Sequence, residues 1–448
     1  MKRSIAGVTL GLLLQPLMAL AISAPSTQTF TLDNGLKVIV LEDHRAAVVH
    51  SQLWYRVGSN YEPPGQTGLS HALEHMIFKG SSKLCPGEAD HVFQGLGASS
   101  NAATQSDATV FFQTLPPNAL GVAFEIMADQ MNTAHLSAAY WEGEREVIKS
   151  ERSESIDNSP SQLALERLLS VAYPASASGN PVIGWMHDLE RMHIEELQDW
   201  YRRWYAPNNA TLIIVGDIDV NQVRTLATRY FGPIARRELP AVKRPIELPA
   251  AGERSITQYL NHQIPNLLMT FNVPSLTTQA NSRTTAALEL LSELLGGGDS
   301  SVLKTSLWRG EELVINADTH YSSISRGDEL FTIAATLNVE KAIPLSDIKN
   351  RIWSEIELLK KRPPSAEDLD RARTRIFAQH VFSRDDLQSQ ALYLGELDIA
   401  GLTWEQGEQR FETLKTITPE EIQHAAKTFL TREQLTTGYV LAKETRHE

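Results

Sequence analysis

The stretch "GLSHALEHMIFKGS", Gly68 to Ser81, places three side chains with metal-binding and acid–base chemistry inside an apolar segment. Drawn as a helix over residues 69–79, the segment has an apolar arc comprising Leu69, Ala72, Leu73, Met76 and Ile77. The opposite arc carries His71, Glu74, His75 and Phe78. Histidines four residues apart project from one side of a helix, one turn apart, so a single metal ion can bridge them. Gly80 is expected to cap this helix.

A polar arc that simply faces solvent is the alternative interpretation of the same pattern. The order His-x-x-Glu-His makes a chance match uncommon, but it does not complete a site. Hydrolytic zinc sites use three protein ligands and keep a fourth position for water, so a third ligand must be found. Among the remaining histidines, the obvious candidates for a third ligand are His91, His187, His193 and His320. Each of them is better explained as a packed or surface residue.

A second helix, "WEGEREVIKSERSES" (residues 141–155), offers carboxylates instead. Its helical stripe of Glu144, Val147, Ile148 and Glu151 is expected to face inward. Burying carboxylates costs several kcal/mol unless a cation or hydrogen bonds compensate. Zinc bound to Glu151, with Glu144 hydrogen-bonded to a ligand histidine, would provide that compensation. The alternative for each carboxylate is a half-exposed position at a helix end.

The length and amino-acid composition of the chain limit the classes of protein to which it can belong. A chain of 448 residues exceeds the size of one core and predicts two or more domains, and 42% hydrophobic with 21% charged residues is typical of a soluble globular protein. Lys and Arg number 41 against 54 Asp and Glu, a net charge of −13, which argues against nucleic acid or an anionic membrane surface as partner. The single cysteine, Cys85, excludes an intrachain disulfide and a thiolate metal cluster.

The N-terminus resembles a secretory signal. Lys2 and Arg3 precede an apolar run that ends in "ALA" at residues 19–21, which predicts a signal peptide over residues 1–21. An uncleaved anchor is the alternative, disfavoured because Pro16 interrupts the run and because a span needs about 20 apolar residues. No later stretch could span a membrane. Export without disulfides suits the periplasm of a Gram-negative bacterium.

The rest of the chain predicts an α+β fold made twice. Alternating residues around Asn34-Gly35 indicate a hairpin, and "TLIIVG" indicates a buried strand. The proline-rich, aperiodic residues 233–252 are interpreted as a linker between domains at 22–232 and 253–448. The second half repeats the element order, with strands, a helix closed by three glycines, another strand, two long helices and a final strand.

Two spacings carry a family resemblance. His71-x-x-Glu74-His75 has the inverzincin order, and Glu151 follows His75 by 76 residues. Together with "GASSNAATQSDAT" and "WYAPNNATLIIVGD", these features resemble the pitrilysin and insulinase family of zinc peptidases, which includes the mitochondrial processing peptidases. The resemblance is specific over residues 29–219. It implies two homologous domains, each a mixed β-sheet packed with helices, that face each other as a clamshell, the C-terminal one being inactive.

The resemblance also implies roles for individual residues. Zn²⁺ would be bound by His71, His75 and Glu151. Zinc would activate a water molecule and polarise the scissile carbonyl of a peptide substrate, and Glu74 would be the general base. Asn101 and Ala102 would form a sheet edge that receives the substrate as an added strand, the alternative being a plain turn into a strand.

The second half departs from the family pattern. Relatives carry an Arg and a Tyr seven residues apart after a glycine-rich turn, and these hold the substrate. Here Arg309 is followed seven residues later by Asn316, Trp308 by Ile315, and Tyr321 lies farther along. The hypothesis is therefore a periplasmic zinc endopeptidase subunit whose homologous partner chain supplies the missing pair. A non-catalytic scaffold subunit of the same fold is the alternative function.

Overall fold

A computed structural model describes residues 27–262 and 264–443. The predicted signal peptide, residues 1–21, lies outside the described residues. The N-terminal half is built on a six-stranded mixed sheet with the order β1-β2-β6-β3-β5-β4, in which β2 and β6 form the parallel pair. Its strands are β1 (Thr27–Thr31), β2 (Lys37–Glu42), β3 (Val49–Tyr55), β4 (Ser99–Thr104), β5 (Thr109–Leu115) and β6 (Ala210–Gly216).

Between residues 27 and 253, eight α-helices accompany this sheet in sequence. They are α1 (Leu69–Ile77), α2 (Glu88–Gly95), α3 (Leu120–Thr133), α4 (Ala138–Arg152), α5 (Pro160–Ala172), α6 (Met186–Leu189), α7 (Ile194–Trp204) and α8 (Val220–Tyr230). The largest core cluster lies between one face of the sheet and helices including α1, α3 and α7. Because α1 contributes its whole apolar arc to this core, the polar arc of α1 must point away from the core.

The C-terminal half is built on a five-stranded mixed sheet with the order β7-β11-β8-β10-β9. Its strands are β7 (Arg254–Leu260), β8 (Asn266–Val273), β9 (Val314–His320), β10 (Glu329–Leu337) and β11 (Leu435–Ala442). Its helices are α9 (Ser282–Ser292), α10 (Leu345–Lys361), α11 (Ala366–Ser383), α12 (Leu387–Ala400), α13 (Trp404–Thr416) and α14 (Pro419–Phe429).

The two sheets share one topology. Without β1, each sheet places its first strand beside its last strand, followed by its second, fourth and third strands. In each sheet the first and last strands run parallel and every other pair is antiparallel. The prediction of two homologous α+β domains is confirmed, and the shared topology is evidence of duplication that requires no shared sequence motif.

The expectation of two long helices between β10 and β11 is wrong, because five helices occupy this segment. The breaks between consecutive helices are short. Residues 384–386, 401–403 and 417–418 separate the last four helices. Such short connections are difficult to recognise when helices rich in polar residues lie on both sides of them.

One helix from each half packs on the sheet of the other half. Helix α12, from the C-terminal half, covers the N-terminal sheet, where Ala391 and Leu394 pack in one cluster with Trp54. Gly395 makes this close approach possible, because a Cβ atom there would lie 2.2 Å from the Trp54 indole. The two halves therefore share their cores rather than meeting only at an outer surface.

The reciprocal contact is made by α5, from the N-terminal half, against the C-terminal sheet. Ala164 packs with Leu260 and Val440 of that sheet. The Gln258 side chain donates a hydrogen bond of 3.0 Å to the carbonyl oxygen of Ala164. Helices α5 and α12 are thus exchanged between the two sheets.

A buried carboxylate of α12 adds a polar tie between the halves. Asp398 is 4% exposed and accepts hydrogen bonds from Lys37 Nζ at 2.6 Å and Thr211 Oγ1 at 2.7 Å. Its second oxygen also pairs with the Arg56 guanidinium. The two cations and one hydroxyl compensate the desolvation of the carboxylate.

Residues 231–253, between α8 and β7, contain neither helix nor strand. They are nevertheless attached to the N-terminal half, since the Glu247 carboxylate accepts hydrogen bonds from the backbone N–H groups of Ala175 and Ser176. The proposed domain limits at residues 232 and 253 stay a prediction. Within the described parts of the chain, no helix combines the length and the apolar character needed to cross a membrane.

Substitution Asp398→Ala is expected to lower the free energy of unfolding by about 3 kcal/mol, because it leaves two cations without their buried counter-charge. Urea denaturation monitored by circular dichroism measures the change. The control is Asp370→Ala, which removes an exposed partner of Arg373 and should cost less than about 1 kcal/mol. Equal effects of the two substitutions would show that Asp398 is not a tie between the halves.

Candidate metal centre

Helix α1 is fixed at its first turn by a buried carboxylate. The Glu62 side chain accepts hydrogen bonds of 2.7 Å from the backbone N–H groups of Gly68 and Ser70. These groups are among the four N–H groups that a helix start leaves unpaired. Burial raises the pKa of Glu62 to about 7, although the two N–H donors oppose the rise. Glu62 was not identified from the sequence, because a carboxylate six residues before the helix cap, Gly68, follows no capping pattern.

The polar arc of α1 lines a cleft, so the solvent-facing alternative does not describe it. The side chains of His71 and His75 are 12% and 21% exposed, and Glu74 is buried. The two imidazole rings lie 4.6 Å apart, centroid to centroid. The helix ends at Ile77, earlier than the predicted residue 79, and Gly80 then turns the chain with a φ of +104°.

The third candidate ligand reaches both histidines. Glu151 lies one residue before the end of α4, and its two oxygens are 3.7 Å from His71 Nε2 and 3.3 Å from His75 Nε2. One potential ligand atom from each of the three residues lies within 4.8 Å of the others. The structure therefore brings together the three residues that the sequence analysis assigned to a metal.

Glu144, one helical turn before Ile148 on α4, holds the second histidine. Its carboxylate is 2.9 Å from His75 Nδ1 and pairs on its other side with Lys79. Fixing Nδ1 in this way leaves His75 Nε2 directed towards Glu151, the arrangement that commonly orients a metal-ligating imidazole. In contrast, Nδ1 of His71 is buried with no hydrogen-bond partner among the described residues.

The inward stripe predicted on α4 is partly wrong. Val147 is 52% exposed, and the Glu151 side chain is 43% exposed at the cleft. The buried residues of α4 are Trp141, Glu144, Ile148 and Arg152. The buried face is thus rotated from the predicted one, because Trp141 offers more apolar area to bury than Val147 does and Arg152 is paired with the buried Glu166 carboxylate.

Glu74 is poised beside the cluster. Its Oε2 accepts a hydrogen bond of 2.5 Å from the Thr104 hydroxyl, at the end of β4. Burial raises the pKa of Glu74, and the Thr104 hydrogen bond opposes this rise. A carboxylate with a raised pKa is a stronger base than an exposed one. Thr104 was not identified from the sequence, because its role depends on a contact between residues 30 positions apart.

The electrostatics differ between the two histidines. Burial, and to a smaller extent the neighbouring His75, lowers the pKa of His71 to about 4. Burial also opposes protonation of His75, but hydrogen bonds to Glu151 and Glu144 outweigh it, so the pKa of His75 is raised. The hydrogen bond from His75 is the largest cause of the lowered pKa of Glu151. His71 is therefore held neutral, the form in which imidazole binds metals.

A cleft of about 640 Å³ joins these residues to the edge of the N-terminal sheet. Asn101 and Ala102 line it, and both belong to β4, which is the edge strand of its sheet and, among the described residues, pairs only with β5. The rest of the lining mixes apolar side chains, Ile156, Leu165, Leu169 and Val182, with polar ones such as Gln162 and Asn180. A strand edge that borders such a cleft is suited to an extended peptide.

The C-terminal half contains no equivalent centre among its described residues. Arg309 is exposed and lines a separate cleft of about 1520 Å³ beside α11. Tyr321 is buried, and its hydroxyl donates a hydrogen bond of 2.6 Å to the Pro274 carbonyl oxygen. Neither residue forms an Arg and Tyr pair of the expected spacing.

Comparison with known protein families finds matches to two parts of the chain. Residues 37–184 match the model of the family described as Insulinase (Peptidase family M16), and residues 191–376 match the Peptidase M16 inactive domain. The chain belongs to peptidase family M16. The family resemblance found in the sequence is thereby confirmed, and the boundary between the two M16 matches falls before the predicted linker.

Relatives of this M16 chain include zinc proteases. It is 27% identical over 387 residues to the zinc protease PqqE of Helicobacter pylori, covering 85% of this chain and 86% of the relative. It is 30% identical over 224 residues to the bovine mitochondrial-processing peptidase subunit beta, covering 49% of this chain and 45% of that subunit.

Solved structures share the fold over almost the whole described chain. A protease from Helicobacter pylori has a TM-score of 0.86 at 25% identity, covering 93% of this chain and 100% of that one. The periplasmic protease PqqL from Escherichia coli has a TM-score of 0.79 at 19% identity, with 93% of this chain matching 47% of PqqL. At that identity the likeness to PqqL concerns the fold alone.

The purified chain is expected to hold one zinc ion, and His71→Ala should abolish stoichiometric binding because it removes one of three ligands. Glu144→Gln should weaken zinc binding about ten- to a hundredfold, because His75 loses the carboxylate that orients it. Metal analysis and competition with a chromophoric chelator measure both effects. The control is Glu146→Gln, a 61% exposed residue of the same helix that should leave zinc affinity unchanged. Undiminished zinc in His71→Ala would contradict the assignment.

Proposed function

We propose that this M16 chain is a periplasmic zinc metalloendopeptidase and the zinc-bearing subunit of a two-chain enzyme. The observation that carries the proposal is the convergence of His71, His75 and Glu151 beside a buried Glu74, at the end of an open sheet edge. A base next to three convergent ligands is what peptide hydrolysis requires, and a structural metal site does not require it.

The donor set fits zinc. Two imidazoles and one carboxylate are typical of hydrolytic zinc sites. The Glu151 carboxylate is accessible from the cleft, and the group of candidate ligands among the described residues has three members, which leaves a fourth coordination position for water. His71, His75 and Glu151 would hold the ion, with Glu144 orienting His75. Bound zinc would supply Lewis-acid chemistry, lowering the pKa of a water molecule and polarising the scissile carbonyl.

The residues of the chain itself account for proton transfer and positioning. Glu74 would accept the proton of the attacking water on its carboxylate and pass it to the leaving amine. Thr104, which donates to Glu74 Oε2, would hold one carboxylate oxygen in place. Asn101 and Ala102 would pair with the peptide backbone through the free edge of β4, providing affinity without strong dependence on sequence.

The missing Arg and Tyr pair supports the two-chain arrangement. Tyr321 is buried against the Pro274 carbonyl, and Arg309 lines the cleft beside α11 rather than the cleft of the metal centre. A homologous chain that supplies the pair would complete the binding site for substrate and for the developing oxyanion. One of the relatives, mitochondrial-processing peptidase subunit beta, is by its name a subunit of a larger enzyme.

The periplasmic location rests on the predicted signal peptide over residues 1–21. The Escherichia coli protein of the same fold, PqqL, is described as a periplasmic protease. Cleavage after Ala21 would release the described part of the chain, in which no helix is suited to span a membrane. A non-catalytic scaffold subunit is the second candidate function, and a chain that binds no metal would favour it.

Substitution Glu74→Gln is expected to preserve zinc binding and to abolish peptide cleavage, because an amide cannot accept the proton of the attacking water. Zinc content and the rate of hydrolysis of a fluorogenic peptide are measured on the same preparation. Glu88→Gln, at the exposed start of α2, is the matched control and should retain full activity. Retained cleavage in Glu74→Gln would mean that another residue is the base.

The isolated chain is expected to cleave peptides at least about a hundredfold more slowly than the same chain mixed with a homologous partner that carries the Arg and Tyr pair. That factor is the cost of removing one donor to the oxyanion. Steady-state assays of each chain alone and of the mixture test this expectation. Full activity of the isolated chain would remove the two-chain hypothesis and leave the zinc peptidase intact.

A further inference from the structure

Few contacts hold Glu151, the third candidate ligand of the metal centre, in position. The Glu151 side chain is 43% exposed, and its carboxylate contacts the two histidines that would share the ion with it. The helix carrying Glu151 ends at the next residue, Arg152, and a wider helical turn, Ser153–Asp157, follows. A ligand at a helix end needs neighbouring residues to hold it in position.

Arg152 supplies a rigid attachment directly beside Glu151. Its guanidinium donates two parallel hydrogen bonds, of 2.8 and 2.9 Å, to the Glu166 carboxylate, and a third of 2.8 Å to the Gly184 carbonyl oxygen. The side chains of Arg152 and Glu166 are 5% and 6% exposed. Buried bidentate pairs of this kind fix geometry as well as charge.

Glu166 lies on α5, the helix that is packed on the sheet of the C-terminal half. Besides the Gln258 contact to Ala164, the Asn272 side chain donates a hydrogen bond of 3.0 Å to the Ala172 carbonyl oxygen. Leu168 is fully buried and lies against Gly438 of β11, where an added Cβ atom would approach Leu168 to 3.2 Å. Helix α5 is thus seated on three strands of the C-terminal sheet.

From these contacts we infer that the C-terminal half, part of which lies within the match to a domain described as inactive, positions the third zinc ligand. This connection, called the brace below, runs from the C-terminal sheet to α5, through Glu166 to Arg152, and so to Glu151. Arg152 and Glu166 are positioning residues, because they act through Glu151 rather than on substrate. The inference rests on the proposed function, since it assumes that the centre binds zinc.

The exchanged helices provide a matched control. Helix α12 is seated on the N-terminal sheet as α5 is seated on the C-terminal sheet, and Leu394 is buried there to nearly the same extent as Leu168. No residue of α12 lines the cleft of the metal centre. Leu168→Ala and Leu394→Ala therefore open similar cavities under exchanged helices, and only Leu168→Ala loosens the helix that carries Glu166.

The experiment measures the zinc dissociation constant of the full chain by competition with a chromophoric chelator, without any peptide substrate. Glu166→Gln and Leu168→Ala should each weaken zinc binding at least tenfold. Leu394→Ala should not, nor should Glu289→Gln, which breaks a comparable buried pair with Arg410 in the C-terminal half. Because Glu166→Gln leaves Arg152 without its counter-charge, the double substitution Arg152→Met with Glu166→Leu is included to keep the site packed.

The outcomes separate the brace from the proposed function. Weaker zinc binding in the Arg152, Glu166 and Leu168 variants, at unchanged circular dichroism and with unaffected controls, supports the brace. Unchanged affinity in folded variants overturns it, and so does an equal loss of affinity in Leu394→Ala and Glu289→Gln, which would indicate general loosening. A wild-type chain that binds no zinc would overturn the proposed function and the brace together.

Discussion

A mixed β-sheet with two apolar faces must be covered on both sides, and in this chain each sheet obtains part of its cover from the other half. Helix α12 lies on the N-terminal sheet and α5 on the C-terminal sheet. The close contact of Gly395 with the Trp54 indole shows how tightly this exchange is packed. Neither half would bury its core completely if the other were removed, so the candidate centre belongs to the whole chain.

The candidate centre is built from three elements, two helices and one strand, and each must meet a different geometrical requirement. Helix α1 contributes a local pattern in which the histidine spacing alone sets the geometry. Helix α4 must then be docked against α1 so that Glu144 and Glu151 reach the imidazoles. Strand β4 brings the Thr104 hydroxyl to Glu74 and keeps one edge unpaired beside them. The chemistry proposed for the cleft needs all three, because ligands, base and substrate edge come from different segments.

The sequence predicted what depends on local periodicity and on motif spacing. His71, His75, Glu151 and Glu144 were candidates from the patterns of two helices and took their roles from the family resemblance, and their side chains do converge. It did not predict Glu62, Thr104 or the Arg152 clasp with Glu166, since these contacts join segments whose approach is decided only by tertiary packing. The exchange of α5 and α12 could not be predicted from the sequence, because an amphipathic helix has the same hydrophobic pattern whichever sheet it covers.

The free edge of β4 sets a conformational requirement on whatever enters the cleft. A polypeptide can pair with that edge only if it offers an unpaired, extended backbone over several residues, and a stably folded domain has already committed its backbone groups to its own helices and sheets. The edge of β4 therefore distinguishes an unfolded polypeptide from a folded one more than it distinguishes one amino-acid sequence from another. Unfolded segments, termini and short peptides would be admitted at this edge, while natively folded proteins would be excluded from it.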